Sequence, residues 1–336
     1  MRILVTGAAG FIGCFTTIAL LEQRHYVVGI DNLNEYYDVQ LKHDRLKLIE
    51  DKGLQFKFIH CDLVDQVQID SIFEKENFDV VVNLAAQAGV RFSIDNPRAF
   101  IESNVTGFAN ILEACRHNKI RSLIYASSSS VYGMNSSMPF SVTDNVDHPV
   151  SLYAATKKSN ELLAHTYSHL YGIPTIGLRF FTVYGPWGRP DMAYFSFTKN
   201  ILAGEAIKVF NHGDMERDFT YIDDIVEGIV RLVDKPAIPN TNWDSANPDA
   251  SSSSAPYKIY NIGNNNPVRL GYFIECIEKA LGLEAKKEYV AMQMGDVRAT
   301  YADIDALVAA IDYQPSTPIS SGIESFVEWY RQYYSV

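Results

Sequence analysis

The sequence has little cysteine, a shortage of positive charge and no long apolar run. Its four cysteines, Cys14, Cys61, Cys115 and Cys276, form no CxxC pair, so they indicate free thiols in a reducing compartment rather than disulfides. Lys and Arg number 29 against 40 Asp and Glu, a net charge of −11, which argues against a nucleic-acid partner. No apolar run reaches the ~20 residues of a membrane span, and the chain opens on the strand-like Arg2–Thr6 rather than on a signal peptide. We expect a cytoplasmic protein that binds neither nucleic acid nor membrane.

Histidine gives no sign of a metal site. The eight histidines include no HxH or HExxH pattern, which are the spacings that place two imidazoles on one metal ion. His165 and His169 lie four residues apart in a predicted helix, but no cysteine or carboxylate accompanies them there. We predict no bound metal and assign this pair a surface or interface role.

The rest of the composition is that of a globular protein, and its pattern is α/β. The 336 residues are 47% hydrophobic and 21% charged, enough for one large or two modest domains. Helical patterns such as Ala99–Asn118 and Tyr153–Tyr171 alternate with short, nearly continuous apolar strands, as in buried parallel sheets. The predicted strands are Ile3–Thr6, Tyr26–Ile30, Phe56–His60, Val80–Leu84, Ser122–Ala126 and Thr175–Leu178. This alternation predicts a Rossmann-type, doubly wound parallel sheet.

The alternation weakens after Arg179. Helical patterns at Tyr194–Ala203 and Asp223–Asp234 are separated by strand patterns near Ile207–Phe210 and Lys258–Ile262. We interpret this half as a smaller, discontinuous lobe of mixed α/β structure that binds the substrate.

The predicted domain boundaries follow from this change of pattern. Residues 1–178 form the nucleotide-binding Rossmann domain, to which a later segment at about 211–235 returns. Residues 179–336 form mainly the second lobe. Within that lobe, 236–256 is rich in Pro, Asn and Ser, and we predict a surface loop there.

A glycine-rich turn follows the first predicted strand. Gly7, Gly10 and Gly13 have GxxGxxG spacing, which permits close backbone approach to a pyrophosphate at a helix N-terminus. The motif alone also fits an ordinary βα turn. Asp31 closes the second strand, 18 residues after Gly13, where a carboxylate accepts hydrogen bonds from ribose hydroxyls and repels a 2′-phosphate. The order of strand, turn, helix, strand and acid predicts NAD as the cofactor.

Further candidates follow at the ends of later strands. Asp62 is placed to meet the adenine amino group, and the small residues after the fourth strand let a cofactor lie close. Each alone also suits a structural role, but in chain order they fit one dinucleotide crossing the carboxyl edge of the sheet. The predicted cofactor site comprises Gly7, Gly10, Phe11, Ile12, Gly13, Asp31, Asn32, Asp62, Leu63, Ala85, Ala86, Gln87 and Asn104, together with Tyr153 and Lys157.

Tyr153 and Lys157 carry the predicted chemistry. Residues four apart share one face of a helix, and an ammonium close to a phenol lowers the pKa of the phenol from ~10 towards neutrality. The pair thus predicts a proton-transfer group usable near neutral pH. A run of serines, 127–130, ends the fifth strand, where ligands of such sheets bind.

Together, the GxxGxxG turn, Asn83–Ala86, the serine run before Val131-Tyr132-Gly133 and the Tyr153-xxx-Lys157 pair resemble the extended short-chain dehydrogenase/reductase superfamily over essentially the whole chain. Longer motifs at 31–39, 87–91, 184–192, 217–224 and 295–297 are similar to the uronate branch of its sugar-nucleotide 4-epimerases.

The resemblance implies roles for the catalytic residues. Tyr153 would take the proton from the sugar 4-hydroxyl while C4 gives hydride to NAD⁺, and Lys157 would hold the nicotinamide ribose and keep Tyr153 acidic. Ser128 would bond to O4, since it precedes Tyr153 by the 25 residues typical of the epimerases. Ser127, Ser129 and Ser130 remain alternatives.

The resemblance also implies a sugar carboxylate. Epimerases acting on galactose usually carry Asn in the segment that here reads Arg179-Phe180-Phe181-Thr182. Thr182 agrees instead with the uronate branch, in which this Thr and a downstream arginine, here Arg189, meet the carboxylate. A guanidinium binds a carboxylate as a bidentate fork, although Arg189 also fits a loop arginine that contacts backbone or solvent.

A UDP moiety is the expected nucleotide end of the substrate. By match to the family, Arg217 and Arg298 would bind the diphosphate, because an acidic protein needs focused cations there. The remaining candidates are Lys199 on its helix, Val209 and Phe210 beside the uracil, and Arg91 near the phosphates or the carboxylate.

The expected function is therefore NAD-dependent C4 epimerisation of a UDP-uronic acid, interconverting UDP-glucuronate and UDP-galacturonate through a 4-keto sugar. A homodimer through the helices at 99–118 and 153–171 is expected from the family. Three alternatives stay open: a UDP-glucuronate decarboxylase, because a ketone β to a carboxylate loses CO₂ readily; a 4-epimerase for UDP-galactose or a UDP-N-acetylhexosaminuronate; and a non-catalytic NAD-binding sensor.

Overall fold

The computed structural model describes residues 1–293 and 295–336. Twelve strands lie in this part of the chain. They are β1 (Arg2–Thr6), β2 (Tyr26–Asp31), β3 (Phe56–His60), β4 (Val80–Asn83), β5 (Ser122–Ser128), β6 (Thr175–Phe180), β7 (Thr182–Tyr184), β8 (Ala206–Val209), β9 (Glu216–Tyr221), β10 (Tyr257–Ile262), β11 (Pro267–Arg269) and β12 (Lys286–Tyr289).

The helices of the same residues alternate with these strands. They are α1 (Phe11–Glu22), α2 (Val39–Glu50), α3 (Gln66–Glu76), α4 (Phe92–Asp95), α5 (Pro97–Phe100), α6 (Gly107–His117), α7 (Leu152–Tyr171), α8 (Ala193–Leu202), α9 (Ile222–Val233), α10 (Leu270–Leu281), α11 (Asp305–Ile311) and α12 (Ile319–Tyr334). A π-helical stretch, Ile101–Thr106, joins α5 to α6. The predicted helix Ala99–Asn118 thus contains a change of helical pitch that its periodicity did not reveal.

Seven strands form one parallel sheet in the order β10-β6-β5-β4-β1-β2-β3. The chain winds one way from β1 to β3 and then returns past β1 to β4, which makes the sheet doubly wound and confirms the predicted fold class. The crevice between β1 and β4 at their carboxyl ends is where such sheets bind ligands. All four residues of β4 are buried, as a central strand covered on both faces requires.

The strand β10 belongs to the main sheet rather than to the second lobe. We expected the pattern near Lys258–Ile262 to lie in the lobe, but Tyr257–Ile262 pairs in parallel with β6 at the sheet edge. The strand follows a long loop, so its position in the chain gives no sign of its partner. Helix α9, which lies within the segment 211–235 that we expected to return to the Rossmann domain, packs on α1.

The second lobe has small sheets and an aromatic core. β7, β9 and β11 form one sheet, and β8 pairs with β12 in another. Rings of Phe219 and Phe273 stack at 4.3 Å between centroids, and Tyr194 meets Phe326 edge to face at 4.8 Å. The first contact packs α10 on β9 and the second packs α8 on α12, and α10 also packs on both of these helices. The lobe faces the carboxyl edge of the main sheet.

The segment 236–256 is only partly the surface loop we predicted. Most of it is exposed, but Ser251, Ser252 and Ser253 are buried. Asp249 accepts hydrogen bonds from the hydroxyls of Ser251 and Ser252, and a ring nitrogen of His165 lies 3.0 Å from Ser253 Oγ. The serine run is therefore packed on α7.

None of the helices in the described residues has the length and hydrophobicity that a membrane span needs.

A buried ion pair joins α7 to the centre of the sheet. Arg179 Nε and Nη2 donate to Glu161 Oε1 and Oε2 at 2.9 and 3.0 Å, and both side chains are almost wholly buried. Ser127 Oγ donates to the same carboxylate at 2.7 Å. Glu161 follows Tyr153 and Lys157 at helical spacing, so this contact fixes the face of α7 that meets the serine strand.

We expect Glu161→Gln to destabilise the fold by roughly 3–5 kcal/mol, because it leaves the buried Arg179 guanidinium without a counter-charge. Urea unfolding of the variant and of the exposed control Glu205→Gln measures the difference. A free energy of unfolding within about 1 kcal/mol of the control value would contradict this role for the ion pair.

Candidate active site

A cavity of about 790 Å³ lies at the carboxyl edge of the main sheet, between the sheet and the second lobe. Residues from the ends of β1, β2, β4 and β5 form one wall. The opposite wall comes from the segments that begin at Thr182 and Phe210 and from the segment around Asp296. The cavity brings together most of the predicted cofactor, catalytic and substrate residues.

The turn between β1 and α1 leaves no room for a side chain at its glycine positions. Gly7 has φ +72°, and a Cβ on Gly13 would lie 1.9 Å from the Gly7 carbonyl oxygen. Within the described residues no side chain caps α1, so the first N–H groups of the helix point to the cavity with the positive end of the helix dipole. Phe11 and Ile12 also line the cavity. The geometry of the turn suits a phosphate group.

The Asp31 carboxylate lies beside this turn. Asp31 Oδ2 accepts from the Ala9 N–H at 3.2 Å and Oδ1 from the Leu33 N–H at 2.9 Å. Each oxygen keeps a further acceptor position, which suits the two hydroxyls of a ribose. Burial raises the pKa of Asp31. Asn32 Nδ2 donates to Asp62 Oδ2 at 2.8 Å, so Asp62 lies in the same region.

The segment after β4 is held by a buried amide. Asn104 Oδ1 accepts from the Gln87 N–H at 2.7 Å, and Asn104 Nδ2 donates to the Gln87 carbonyl at 3.0 Å. Ala85, Ala86 and Gln87 line the cavity, as does Leu63. Asn104 does not line it; the structure places this residue behind Gln87 as its support.

Tyr153 and Lys157 enter the cavity from the first turns of α7. Ser151 caps the helix, with its hydroxyl accepting from the Ala154 N–H at 3.1 Å. Lys157 Nζ donates to the Ala126 carbonyl at 3.0 Å, and burial lowers the pKa of Lys157 to about 8. Ser128 faces the Tyr153 phenol and acts to lower its pKa by hydrogen bonding.

The pKa of Tyr153 differs from our expectation. We predicted that Lys157 brings it towards neutrality, but burial raises it above its ordinary value, and Ser128 and then Arg189 oppose that rise. Lys157 donates its hydrogen bond to the Ala126 carbonyl rather than to the phenol. Removal of water from the ring outweighs the charges that this chain supplies.

Arg189 forms an internal carboxylate pair. Its Nε and Nη2 donate to Asp191 Oδ1 and Oδ2 at 3.0 and 2.6 Å, and Tyr36 OH donates to Asp191 Oδ2 at 3.1 Å. Burial acts to raise the pKa of Asp191, but the Arg189 guanidinium outweighs it, and the pKa falls below its ordinary value. Thr182 and Arg189 both line the cavity.

A second group of cations lies farther along the cavity. Arg217 Nη2 donates to Asp296 Oδ1 at 2.7 Å, and Arg91 Nη2 lies 3.7 Å from Asp296 Oδ2. The Arg91 guanidinium also lies over the Phe210 ring, 4.9 Å from its centroid. One carboxylate thus gathers Arg217, which we predicted at the diphosphate, and Arg91, which we predicted near the phosphates or the sugar carboxylate.

Three predicted substrate residues lie outside the cavity lining. Arg298 is two-thirds exposed and pairs with the equally exposed Asp214. Lys199 is exposed on α8, and Val209 is buried at the end of β8. Sequence reasoning could not place them, because their positions depend on how the lobe packs. Their proposed contacts stay predictions.

The structure adds residues that we did not single out for a chemical role. The lining also includes Tyr36, Lys42, Asp191 and Asp296. Three of these lie inside the longer motifs, but nothing local indicates that they orient arginines. Lys42 Nζ donates to the Asn34 carbonyl at 2.6 Å, and burial lowers its pKa.

The sequence matches the family model described as "NAD dependent epimerase/dehydratase family" over residues 3–263. The chain belongs to this family. The family description names NAD, and the glycine turn with the uncapped N-terminus of α1 fits the phosphates of such a cofactor.

Relatives from several organisms share the whole chain. A Staphylococcus aureus protein named CapI is 61% identical over 99% of both chains. A probable UDP-glucuronate 4-epimerase of Rhizobium meliloti is 45% identical over 99% of this chain and 98% of the relative. The crystal structure of a Bacillus cereus UDP-glucuronic acid 4-epimerase, in complex with UDP-glucuronic acid and NAD, superposes with a TM-score of 0.86. It is 34% identical and covers 99% of this chain and 100% of that one.

The buried lysine of this epimerase site should make stability depend on pH. Below pH 8, Lys157 is charged in both the folded and the unfolded chain, so the cost of its burial is complete. Between pH 8 and 10.5, Lys157 is neutral in the folded chain but still protonated in the unfolded chain. The free-energy cost of burying its charge therefore decreases as the pH rises. We expect Lys157→Met, assayed without added nucleotide, to be more stable than wild type by roughly 3 kcal/mol at pH 7, with the gap closing as the pH rises through that window.

Chemical unfolding from pH 7 to 10.5 measures this gap. Lys235→Met is the matched control, because Lys235 also donates to a carbonyl, that of Ala310, but is exposed. A gap between Lys157→Met and wild type that stays the same at every pH would contradict a charged, buried Lys157.

Proposed function

We propose that this protein is an NAD-dependent epimerase that inverts C4 of UDP-glucuronate and UDP-galacturonate. The observation that carries the proposal is one cavity in which Tyr153, Ser128 and Lys157 lie beside Arg189, an arginine already bound to a carboxylate. The first set of residues suits oxidation at a sugar carbinol. The second suits a sugar that bears a carboxylate.

The proton chemistry belongs to Tyr153. When bound, NAD supplies the acceptor for the C4 hydride and returns it. Tyr153 takes the proton of the 4-hydroxyl, and the Ser128 hydroxyl bonds to O4 as its negative charge develops. Tyr153 acts as the base in its phenolate form, which burial opposes and which the Ser128 hydrogen bond and the Arg189 charge favour. Lys157, fixed by the Ala126 carbonyl, adds a positive charge to the same cavity. After the keto sugar has rotated to present its other face, C4 regains the hydride on that face while Tyr153 gives the proton back to O4, so the configuration at C4 is inverted.

Arg189 and Thr182 control the fate of the keto sugar. A C4 ketone is β to the C6 carboxylate, and loss of CO₂ requires the bond to that carboxylate to align with the carbonyl π system. Asp191 occupies the Nε and Nη2 side of the Arg189 guanidinium, so its remaining edge and the Thr182 hydroxyl would hold the sugar carboxylate in one plane. We infer that this restraint favours return of hydride over decarboxylation.

The nucleotide end is assigned to the second group of cations. Arg217 and Arg91 focus positive charge in a protein of net charge −11, as an anionic diphosphate requires. Phe210 offers a ring face beside them for the uracil. These contacts extend the proposal and are supported by the geometry of the cavity.

A homodimer and a cytoplasmic location complete the proposal. Leu162 and Leu170, on α7, are 58% and 61% exposed, and apolar residues on one exposed helix face favour burial against a second copy. All four cysteines are free and buried, which suits a reducing compartment.

Incubation of the purified protein with UDP-glucuronate tests the reaction. We expect UDP-galacturonate to accumulate to equilibrium without net NADH, whereas a UDP-pentose with CO₂ would support the decarboxylase instead. Tyr153→Phe should lose roughly 10²–10⁴ in turnover, as removal of a general acid–base does.

The matched control is Tyr272→Phe, which alters a tyrosine that is 47% exposed on α10 and should leave turnover unchanged. If Tyr153→Phe stayed within tenfold of this control, Tyr153 would not be the base.

A further inference from the structure

The side chain of Arg45, on α2, is wholly buried, and each of its five N–H groups has an acceptor. Nε donates to the Trp187 carbonyl at 3.1 Å, and Nη2 donates to the carbonyls of Trp187 and Gly188 at 2.6 and 3.2 Å. Nη1 donates to the Ala9 carbonyl at 3.1 Å and to Tyr37 OH at 2.7 Å. One guanidinium thus joins three separate segments of the chain.

These acceptors are all neutral. In the residues that the structure describes, no carboxylate lies within ion-pair distance of Arg45. Burial of a cation without a counter-ion is costly and is tolerated only when every donor is paired. A lysine offers three N–H groups on one atom and cannot reproduce the planar fork. The position therefore demands an arginine for its geometry.

The joined segments belong to the two halves of the site. Ala9 lies in the glycine turn, whereas Trp187 and Gly188 immediately precede Arg189 in the loop from the second lobe. Trp187 has φ +63°, a left-handed conformation that costs free energy for a non-glycine residue unless its surroundings impose it. Its ring packs 5.4 Å from the Trp329 ring on α12. Arg45 holds this strained backbone from the other side.

We propose that Arg45 is a positioning residue for recognition of the sugar carboxylate. It fixes the backbone before Arg189 relative to the glycine turn, and so it sets where the Arg189 fork lies with respect to the C4 carbon. In this proposal Arg45 contacts neither NAD nor the UDP-sugar. The inference rests on the proposed function, because it assigns to Arg189 the binding of a uronate.

The test compares two ligands that differ only at C6. UDP-glucuronate carries a carboxylate there and UDP-glucose a hydroxymethyl group, so the ratio of their affinities, measured by calorimetry, reports the carboxylate contact alone. We expect Arg45→Met to reduce this ratio about tenfold, the scale of one charge-assisted hydrogen bond. Arg45→Lys should reduce it nearly as much, because it restores the charge and not the fork.

Arg231→Met is the matched control. Arg231 also donates to two main-chain carbonyls, those of Ile311 and Asp312, but it lies on α9 away from the cavity. We expect this variant to keep the wild-type ratio. If Arg45→Met fails to fold, Tyr37→Phe removes one acceptor of the fork and should lower the ratio about two- to threefold, a fraction of one hydrogen bond.

Each outcome has one meaning. If the Arg45 variants keep the wild-type affinity ratio and only their melting temperature falls, the role of Arg45 is merely structural and the inference is overturned. A wild-type ratio in Arg45→Lys, or an unchanged ratio in Tyr37→Phe, would overturn it as well. A wild-type protein that binds both sugars equally would instead refute the proposed function.

Discussion

The contact between α7 and the centre of the sheet is the constraint on which the catalytic geometry depends. Tyr153, Lys157 and Glu161 lie at successive turns of one helix face. Glu161 is bound to Arg179 from β6 and to Ser127 from β5, so a single buried carboxylate aligns the catalytic helix with the strand that carries Ser128. Because the pair is buried, the loss of either partner leaves a bare charge, and the register of α7 is strongly determined.

A second feature of the structure is that the arginines of the cavity are paired with the chain's own carboxylates. Arg189 is bound by Asp191 and Arg217 by Asp296, so carboxylates of the chain itself orient these two arginines of the cavity. Pre-oriented donors lose less freedom on binding. Arg45 differs, because three carbonyl groups and the Tyr37 hydroxyl, all neutral, accept its hydrogen bonds. In the proposed function the first two arginines bind anionic groups of the substrate, and Arg45 positions the backbone beside one of them.

The local parts of this design are predictable from sequence. The YxxxK spacing places two side chains on one helix face. The GxxGxxG spacing predicts a tight turn, and the structure has no space for a Cβ at those glycines. The acid at the end of β2 follows from strand order. In each case the prediction depends only on a few neighbouring residues or on the order of strands in a parallel sheet.

The remaining parts depend on contacts between distant segments. Arg45 and Trp187 meet only when the lobe packs on the sheet, and no periodicity indicates that a helix arginine reaches two such carbonyls. The same holds for β10, which joins the main sheet after a long loop, and for Arg298, which the fold leaves exposed. The pKa of Tyr153 also depends on burial, which the Tyr–Lys spacing does not reveal.

The central claim is that C4 loses a hydride and regains it. UDP-glucuronate deuterated at C4 tests this most directly, with the product analysed by NMR and mass spectrometry. The account predicts UDP-galacturonate that retains the deuterium at C4 and contains no solvent hydrogen at that carbon. Loss of the label to water would contradict it, because the carbon would then have exchanged a proton with solvent rather than a hydride within the site.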